Sequence, residues 1–287
     1  MALMTPTATG PASLRGHLHH AAQRGYVRVG QSTAGWRMRP DFILVGASRS
    51  GTTSLFTALA AHPEVRRPPV NKGVRYFDLN YQRGLSWYLA HFPLRRPGVR
   101  ARTFEASGYY LFHPFAIPRL AHDLPEAKVV MILRDPVERA YSAWKHESAR
   151  GFETESFERA LELEQSRLAG QEALLGARPG WESHPHRHQA HRARGEYAPQ
   201  LHRVLDHLPE EQVHVIVSED YFAHPVKTTA TLLDFLGLAA APDLPTPRLN
   251  GRPGADLAPA TRSTLSAHFA PYNHDLAAIL GRDLPWQ

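Results

Sequence analysis

Asp41-Phe42-Ile43-Leu44-Val45-Gly46-Ala47-Ser48-Arg49-Ser50-Gly51-Thr52-Thr53-Ser54 passes from a continuous apolar run through a Gly/Ser turn into a row of hydroxyl residues. An unbroken apolar run of this length, closed by glycine, reads as a strand buried on both faces, as in a parallel sheet. Thr52 to Ala60 then carries the apolar face of a helix. A turn joining such a strand to a helix N-terminus aims backbone N–H groups and the positive end of the helix dipole at one spot. It therefore favours an anion.

Gly46 and Gly51 have the spacing of the nucleotide triphosphatase loop, G-x-x-x-x-G-K-[ST]. Thr52 stands where that pattern needs lysine, and the cation has moved back to Arg49. The lysine serves the β- and γ-phosphates, so its loss argues against ATP or GTP hydrolysis.

Working outward, Lys128 to Leu133 is a second buried strand. It runs into Arg134-Asp135-Pro136, where proline suits the first turn of a helix reaching from Val137 to about Arg150. Arg134 offers a planar fork to an anion at the strand end, and Ser142 offers a hydroxyl two turns into the helix. Gln212 to Val217 is a third strand. Further helices are expected over 157–168, 197–208, 226–236 and 259–280. Strands alternating with helices predict an α/β fold, a P-loop-like central parallel sheet flanked by helices. Residues 1–40 show no clean period and predict a loosely ordered N-terminal arm, with a short helix around Leu14 to Arg24. The folded domain is expected over 41–287.

Composition narrows the classes. No run of ~18 apolar residues occurs, so no membrane span is expected, and the first residues lack the apolar core of a secretory signal. The absence of cysteine excludes disulfides and thiolate metal sites and suits a cytoplasmic protein. The net charge is +6, and only Lys72, Lys128, Lys145 and Lys227 contribute as lysines. An arginine-rich surface suits a polyanionic ligand or acceptor. A nucleic-acid partner is not expected, since there is no zinc finger, aromatic RNA-binding signature or contiguous basic tract. His184, His186, His188 and His191 fall in a Gly/Pro/Arg-rich stretch. No helical i,i+4 pair is forced there and Pro185 breaks the local helix, so a solvated loop is expected rather than a metal site.

From Asp41 onward the chain resembles the sulfotransferase family that uses 3′-phosphoadenosine-5′-phosphosulfate (PAPS), in its heparan-sulfate type and bacterial relatives. The features come in the family's order: 46–54, Lys72-Gly73-Val74-Arg75-Tyr76-Phe77-Asp78, Trp87-Tyr88 before Phe92-Pro93, and Phe104-Glu105-Ala106-Ser107. Then follow 134–142, Gly195-Glu196-Tyr197, Ser218-Glu219-Asp220 and the closing 280–286. The resemblance implies transfer of a sulfuryl group from PAPS to a hydroxyl or amine of an acceptor, a glycan or a small metabolite, with PAP as product. It places Arg49, Ser50, Gly51, Thr52, Thr53 and Ser54 on the 5′-phosphosulfate, and Arg134 and Ser142 on the 3′-phosphate. Arg252, in Asn250-Gly251-Arg252, stands where the family closes a Lys-Gly-Arg clamp, and Tyr197 falls near the nucleotide. Arg49 and Lys72 are the expected cations on the transferring group.

Three positions depart from the family. Arg49 replaces a lysine, Arg75 replaces a frequent histidine, and Gly73 occupies the place of the catalytic glutamate of heparan-sulfate enzymes. With that base missing, His146 and Glu105 are the candidate bases: His146 one turn beyond Ser142, where the family has a functional histidine, and Glu105 at the end of an inferred strand. Asp78 and His113 are outside candidates. Gly73 also leaves open a catalytically silent PAPS- or PAP-binding protein, and the loop spacing leaves open a P-loop kinase or NTPase.

Overall fold

In the computed structural model, which describes residues 25–69, 72–249 and 256–286, five parallel strands form one sheet. They are β1 (Phe42–Gly46), β2 (Val65–Arg66), β3 (Arg102–Ala106), β4 (Lys128–Leu133) and β5 (Val213–Val217), in spatial order β2-β3-β1-β4-β5. The helices in chain order are α1 (25–32), α2 (Thr52–Ala61), α3 (Leu85–Leu89), α4 (Ala116–Asp123) and α5 (Pro136–Ser148). After them come α6 (Phe157–Leu168), α7 (Gln171–Ala177), α8 (Tyr197–Leu205), α9 (Ser218–Ala223), α10 (Pro225–Leu236) and α11 (Pro259–Leu280).

Side chains alternate across a strand, and both faces of this sheet are apolar. Ile43, Val45, Val129, Met131 and Leu133 pack under Ile117 and Leu120 of α4, Leu201 and Val204 of α8 and Leu276 of α11. Phe42, Leu44, Val130 and Ile132 meet Leu55 and Leu59 of α2 and Leu232 and Leu236 of α10. Each such side chain, fully buried, contributes roughly 1.5–3 kcal/mol. The centre of the sheet is therefore stiff, and the ends of its strands are fixed points.

From β1 the chain crosses to the edge strand β2, returns to β3 beside β1, and then passes to β4 on the other side of β1. The direction of travel reverses at β1. In open α/β sheets the crevice beyond the carboxyl end of such a strand is where ligands bind. That end is the 46–51 loop.

The expected bounds of β4, α6 and α11 coincide with those observed. β5 starts one residue later than expected, because Glu210–Gln212 forms a 3₁₀ turn. The strand β2 has two residues, and α4 carries Pro118 inside it; neither leaves a readable period.

The expected arm divides. Residues 25–40 pack onto the domain: Arg37 is buried, donating from Nη1 to the Phe92 carbonyl at 2.6 Å and from Nε to the Thr33 hydroxyl at 3.0 Å. The helix expected around Leu14 to Arg24 lies outside the described residues.

The histidine-rich stretch is not the solvated loop its composition predicts. Pro185–Gln189 forms a π-helical turn, and His186, His188 and His191 are buried. The Tyr109 hydroxyl hydrogen-bonds His186 Nδ1 at 2.7 Å, His188 Nδ1 meets Glu147 at 2.9 Å, and His191 Nε2 meets Glu153 at 3.2 Å. These partners come from distant segments, which local composition cannot show.

Candidate active site

Gly51 starts α2 at φ +104°, a left-handed conformation that favours glycine, and no side chain caps the helix there. The first-turn amides of Thr52, Thr53 and Ser54 have no intrahelical acceptors, so they remain directed at the loop. Arg49 also has positive φ, at 72°. A non-glycine residue held there is strained by roughly 1–3 kcal/mol, a cost usually met at sites that hold a side chain for a purpose. Its Nε donates to the Ser142 hydroxyl on α5 at 3.2 Å. Ser50 and Ser54 are buried, and the Ser54 hydroxyl accepts the Leu249 amide at 3.2 Å. Leu249 thus sits beside the first turn of α2. Arg252 itself lies outside the described residues.

Lys72 reaches the same loop from the other side of β1. Its Nζ donates to the Thr53 hydroxyl at 3.1 Å and lies 5.6 Å from the Phe56 ring centroid. Burial lowers its ammonium to about 8. The end of β3 holds this lysine in place. The Ala106 amide donates to the Lys72 carbonyl at 3.0 Å, and the Val74 amide donates to Glu105 at 2.6 Å. Between them lies Gly73. A Cβ there would stand 2.6 Å from the Ala106 carbonyl oxygen and 2.7 Å from the Ser107 hydroxyl. The backbone has closed over this position, so a side chain at 73 would need the end of β3 to shift.

Glu105 is fully buried. Besides the Val74 amide it accepts the Tyr88 and Tyr110 hydroxyls, each at 3.0 Å. Burial raises its carboxyl to about 7, against the opposing pull of these three donors. It faces the interior rather than the loop.

β4 delivers Arg134, whose carbonyl accepts the buried Tyr197 hydroxyl at 2.9 Å and whose guanidinium lies 3.5 Å from Glu138. Tyr197 thus fixes the backbone of Arg134. The start of α5 contrasts with that of α2. Asp135 caps it through the Val137 amide at 2.8 Å, so the anion-binding groups offered there are side chains. Several weaker sequence features turn out to support this corner. Glu219 takes the Asp135 amide and the Trp286 indole N–H, both at 3.0 Å. A Cβ on Gly195 would collide with Phe269 and Pro136.

Next to the loop is a pocket of about 190 Å³ whose walls include Ser48, Ser107, Asp78, Arg194 and His146. It is smaller than the ≈ 300–1,000 Å³ typical of pockets for drug-sized ligands. Asp78 is buried and accepts Arg187 Nη1 at 2.9 Å, with Arg75 Nε at 3.6 Å. Arg75 also pairs with Glu182. Arg194 donates to the carbonyls of His186 and Arg187 and lies over the Tyr109 and Phe112 rings. It makes no salt bridge to a carboxylate among the described residues. His113 is away from this pocket, buried, with its imidazole driven down to about 3.

The structure thus gathers Arg49, Lys72, Thr53 and Ser142 at one loop, and places His146 and Asp78 in the adjoining pocket. Sequence reasoning missed the pocket arginines Arg187 and Arg194. They stand in the histidine-rich stretch, whose surplus of arginine was the available signal.

The five-stranded parallel sheet, with an uncapped helix start after β1, defines the class as a P-loop-like α/β protein with an anion-binding strand–loop–helix. The model of the sulfotransferase domain matches residues 39–249, and the chain belongs to the sulfotransferase family, which uses PAPS as its sulfuryl donor. A solved sulfotransferase from Alicyclobacillus acidocaldarius is 32% identical, with a TM-score of 0.70 over 86% of this chain and 97% of that one. The bifunctional heparan sulfate N-deacetylase/N-sulfotransferase 1 of Caenorhabditis briggsae is 28% identical over 71% of this chain. The membrane-associated sulfotransferase kil1 of Dictyostelium discoideum is 26% identical over 86%. The chain spans 23% of the former relative and 66% of the latter. Among the described residues no helix is long and apolar enough to cross a membrane.

Proposed function

We propose that this chain moves a sulfuryl group from PAPS to a hydroxyl or amine of an anionic acceptor whose reacting end enters the pocket of Asp78 and His146. The observation that carries this reading is the contact between Arg49 and Ser142. Two anion-binding elements 93 residues apart meet at 3.2 Å, which suits one ligand with a phosphate at each end.

In this reading the open amides of α2, with Ser50 and Thr52, take the 5′-phosphosulfate, and Arg134 and Ser142 take the 3′-phosphate. Arg49 and Lys72 offset the charge that spreads over the peripheral oxygens and the leaving oxygen in a loose in-line transfer. The bond from sulfur to the acceptor forms as the bond from sulfur to the 5′-phosphate oxygen breaks, and PAP leaves. His146 accepts the proton the acceptor loses. Glu105 is given a positioning role, because its oxygens are already occupied by the Lys72–Val74 segment and two tyrosines. Arg194 supports an acceptor with a carboxylate or sulfate, either a glycan or a small metabolite. The heparan-sulfate relatives are N-sulfotransferases by name, which supports an amine as one target.

The test is a mass-spectrometric screen with PAPS against carboxylated or sulfated sugars, amino sugars and neutral phenols. Gain of one sulfuryl group on the anionic acceptors, ahead of their neutral counterparts, supports the reading. Preference for neutral phenols contradicts the acceptor assignment, and PAP binding with no product from any acceptor returns the silent binder.

A further inference from the structure

Seven large apolar side chains are exposed among the described residues, and five of them lie in two short segments. Trp36 is 73% exposed, Val29 66%, Leu94 51%, Val99 49% and Tyr26 36%. The segments are joined to each other. The Arg95 amide donates to the Trp36 carbonyl at 2.8 Å, the Met38 amide donates to the Pro93 carbonyl at 2.9 Å, and Arg37 bridges to Leu94. Scattered exposed aliphatics need no explanation, but a concentration of this kind does.

The same face is strongly cationic. Beside these segments runs a groove of about 1150 Å³ lined by Arg39, Arg66, Arg95, Arg96, Arg100 and Arg102, with three carboxylates between them. One of the three, Asp41, is taken by Arg102 at 2.8 Å. Arg66, Arg95, Arg96 and Arg100 make no ion pair among the described residues. Much of the chain's net +6 therefore gathers where its exposed apolar side chains gather.

We propose that this face docks on an anionic lipid surface. Trp36, Leu94 and Val99 enter the boundary between headgroups and acyl chains, where aromatic and aliphatic side chains next to arginine are favoured. The arginines meet the negative headgroups, an attraction that adds with each basic residue and falls with salt. A soluble polyanion would use the arginines and leave Trp36, Leu94 and Val99 in water. A protein partner would cover the apolar side chains but would have to bring carboxylates for four arginines that make no ion pair among the described residues. An acidic bilayer meets both needs at once.

The groove includes Phe42, Arg102 and Lys128, the first residues of β1, β3 and β4. The phosphate loop is at the opposite end of β1, about 16 Å away at ~3.3 Å per residue. A docked molecule thus turns its transfer site away from the lipid, toward acceptors in solution.

The test is co-sedimentation of the full chain with vesicles of phosphatidylcholine alone and with ~30% phosphatidylserine. Two triple variants go with it, Arg95→Glu/Arg96→Glu/Arg100→Glu and Trp36→Ser/Leu94→Ser/Val99→Ser. Each must keep the wild-type melting temperature and its shift with PAP. Leu94→Ser/Val99→Ser, at two exposed loop positions, replaces the second if that one unfolds. The expected result is at least ~10-fold stronger binding to the acidic vesicles, lost in high salt and in both folded variants. Equal binding to both vesicles, no binding, or binding unchanged in the variants overturns the proposal. So does wild-type self-association without lipid binding that the apolar variant abolishes, which would make this face a contact between copies of the chain.

Discussion

His146 and Lys72 are the residues on which the proposed chemistry turns. His146 is one turn beyond Ser142 on α5, lines the pocket, and lies 3.9 Å from Glu147. If it takes the acceptor proton, His146→Ala lowers turnover by ~100-fold or more while PAP affinity stays within a few-fold. Near-normal turnover in that variant would remove His146 from the mechanism. Lys72 is tested through pH. Its ammonium is lowered to about 8 by burial, so the cation is present below that pH and lost above it. PAP affinity, measured calorimetrically between pH ~6.5 and ~9.5, should fall as pH rises through and beyond 8, since a bound anion holds the proton longer. Lys72→Arg stays charged and should flatten the curve. A flat curve in the wild type would mean that Lys72 does not face the donor.

The element that sets this site apart is the 72–74 segment clamped to the end of β3. Gly73→Ala pushes a methyl against the Ala106 carbonyl and should cost about 1–3 kcal/mol of stability in thermal unfolding, with weaker PAP binding because Lys72 shifts. Unchanged stability would show that the segment gives way easily. Glu105 in this clamp has a folded-state carboxyl at about 7 against an ordinary 4.5. The folded state holds that proton more tightly, so this stability is present below pH ~4.5 and is lost as pH rises through about 7. Melting temperatures taken across that window should fall in the wild type relative to Glu105→Gln. A constant difference would contradict the assigned burial effect. How much of this was legible varies by element. The strand–loop–helix of β1 and α2 and the Arg134–Ser142 element could be read because their apolar periods and turn residues are local. The sequence places Glu105 on a strand, but its three donors come from Val74, Tyr88 and Tyr110, and one-dimensional pattern carries no sign of them. The burial of the histidines at 186–191 escapes local composition for the same reason, since Glu147, Glu153 and Tyr109 complete them from elsewhere.

At the scale of the whole molecule, β1 and β4 lie side by side, so the loop that carries Arg49 and the residue that follows β4, Arg134, leave the sheet at the same edge. The arginine surplus divides between that end, with Arg187 and Arg194, and the opposite groove. Composition showed the surplus but not the division. The crevice is proposed to hold a nucleotide with phosphate at both its 3′ and 5′ positions. Titration calorimetry of PAP against ADP, which lacks the 3′-phosphate, tests it directly, with EDTA present throughout. PAP should bind at least ~10-fold tighter than ADP. Arg134→Ala should erase that preference, at a cost of about 2 kcal/mol in PAP affinity. Equal affinity for the two nucleotides, or a PAP preference that survives Arg134→Ala, would contradict it.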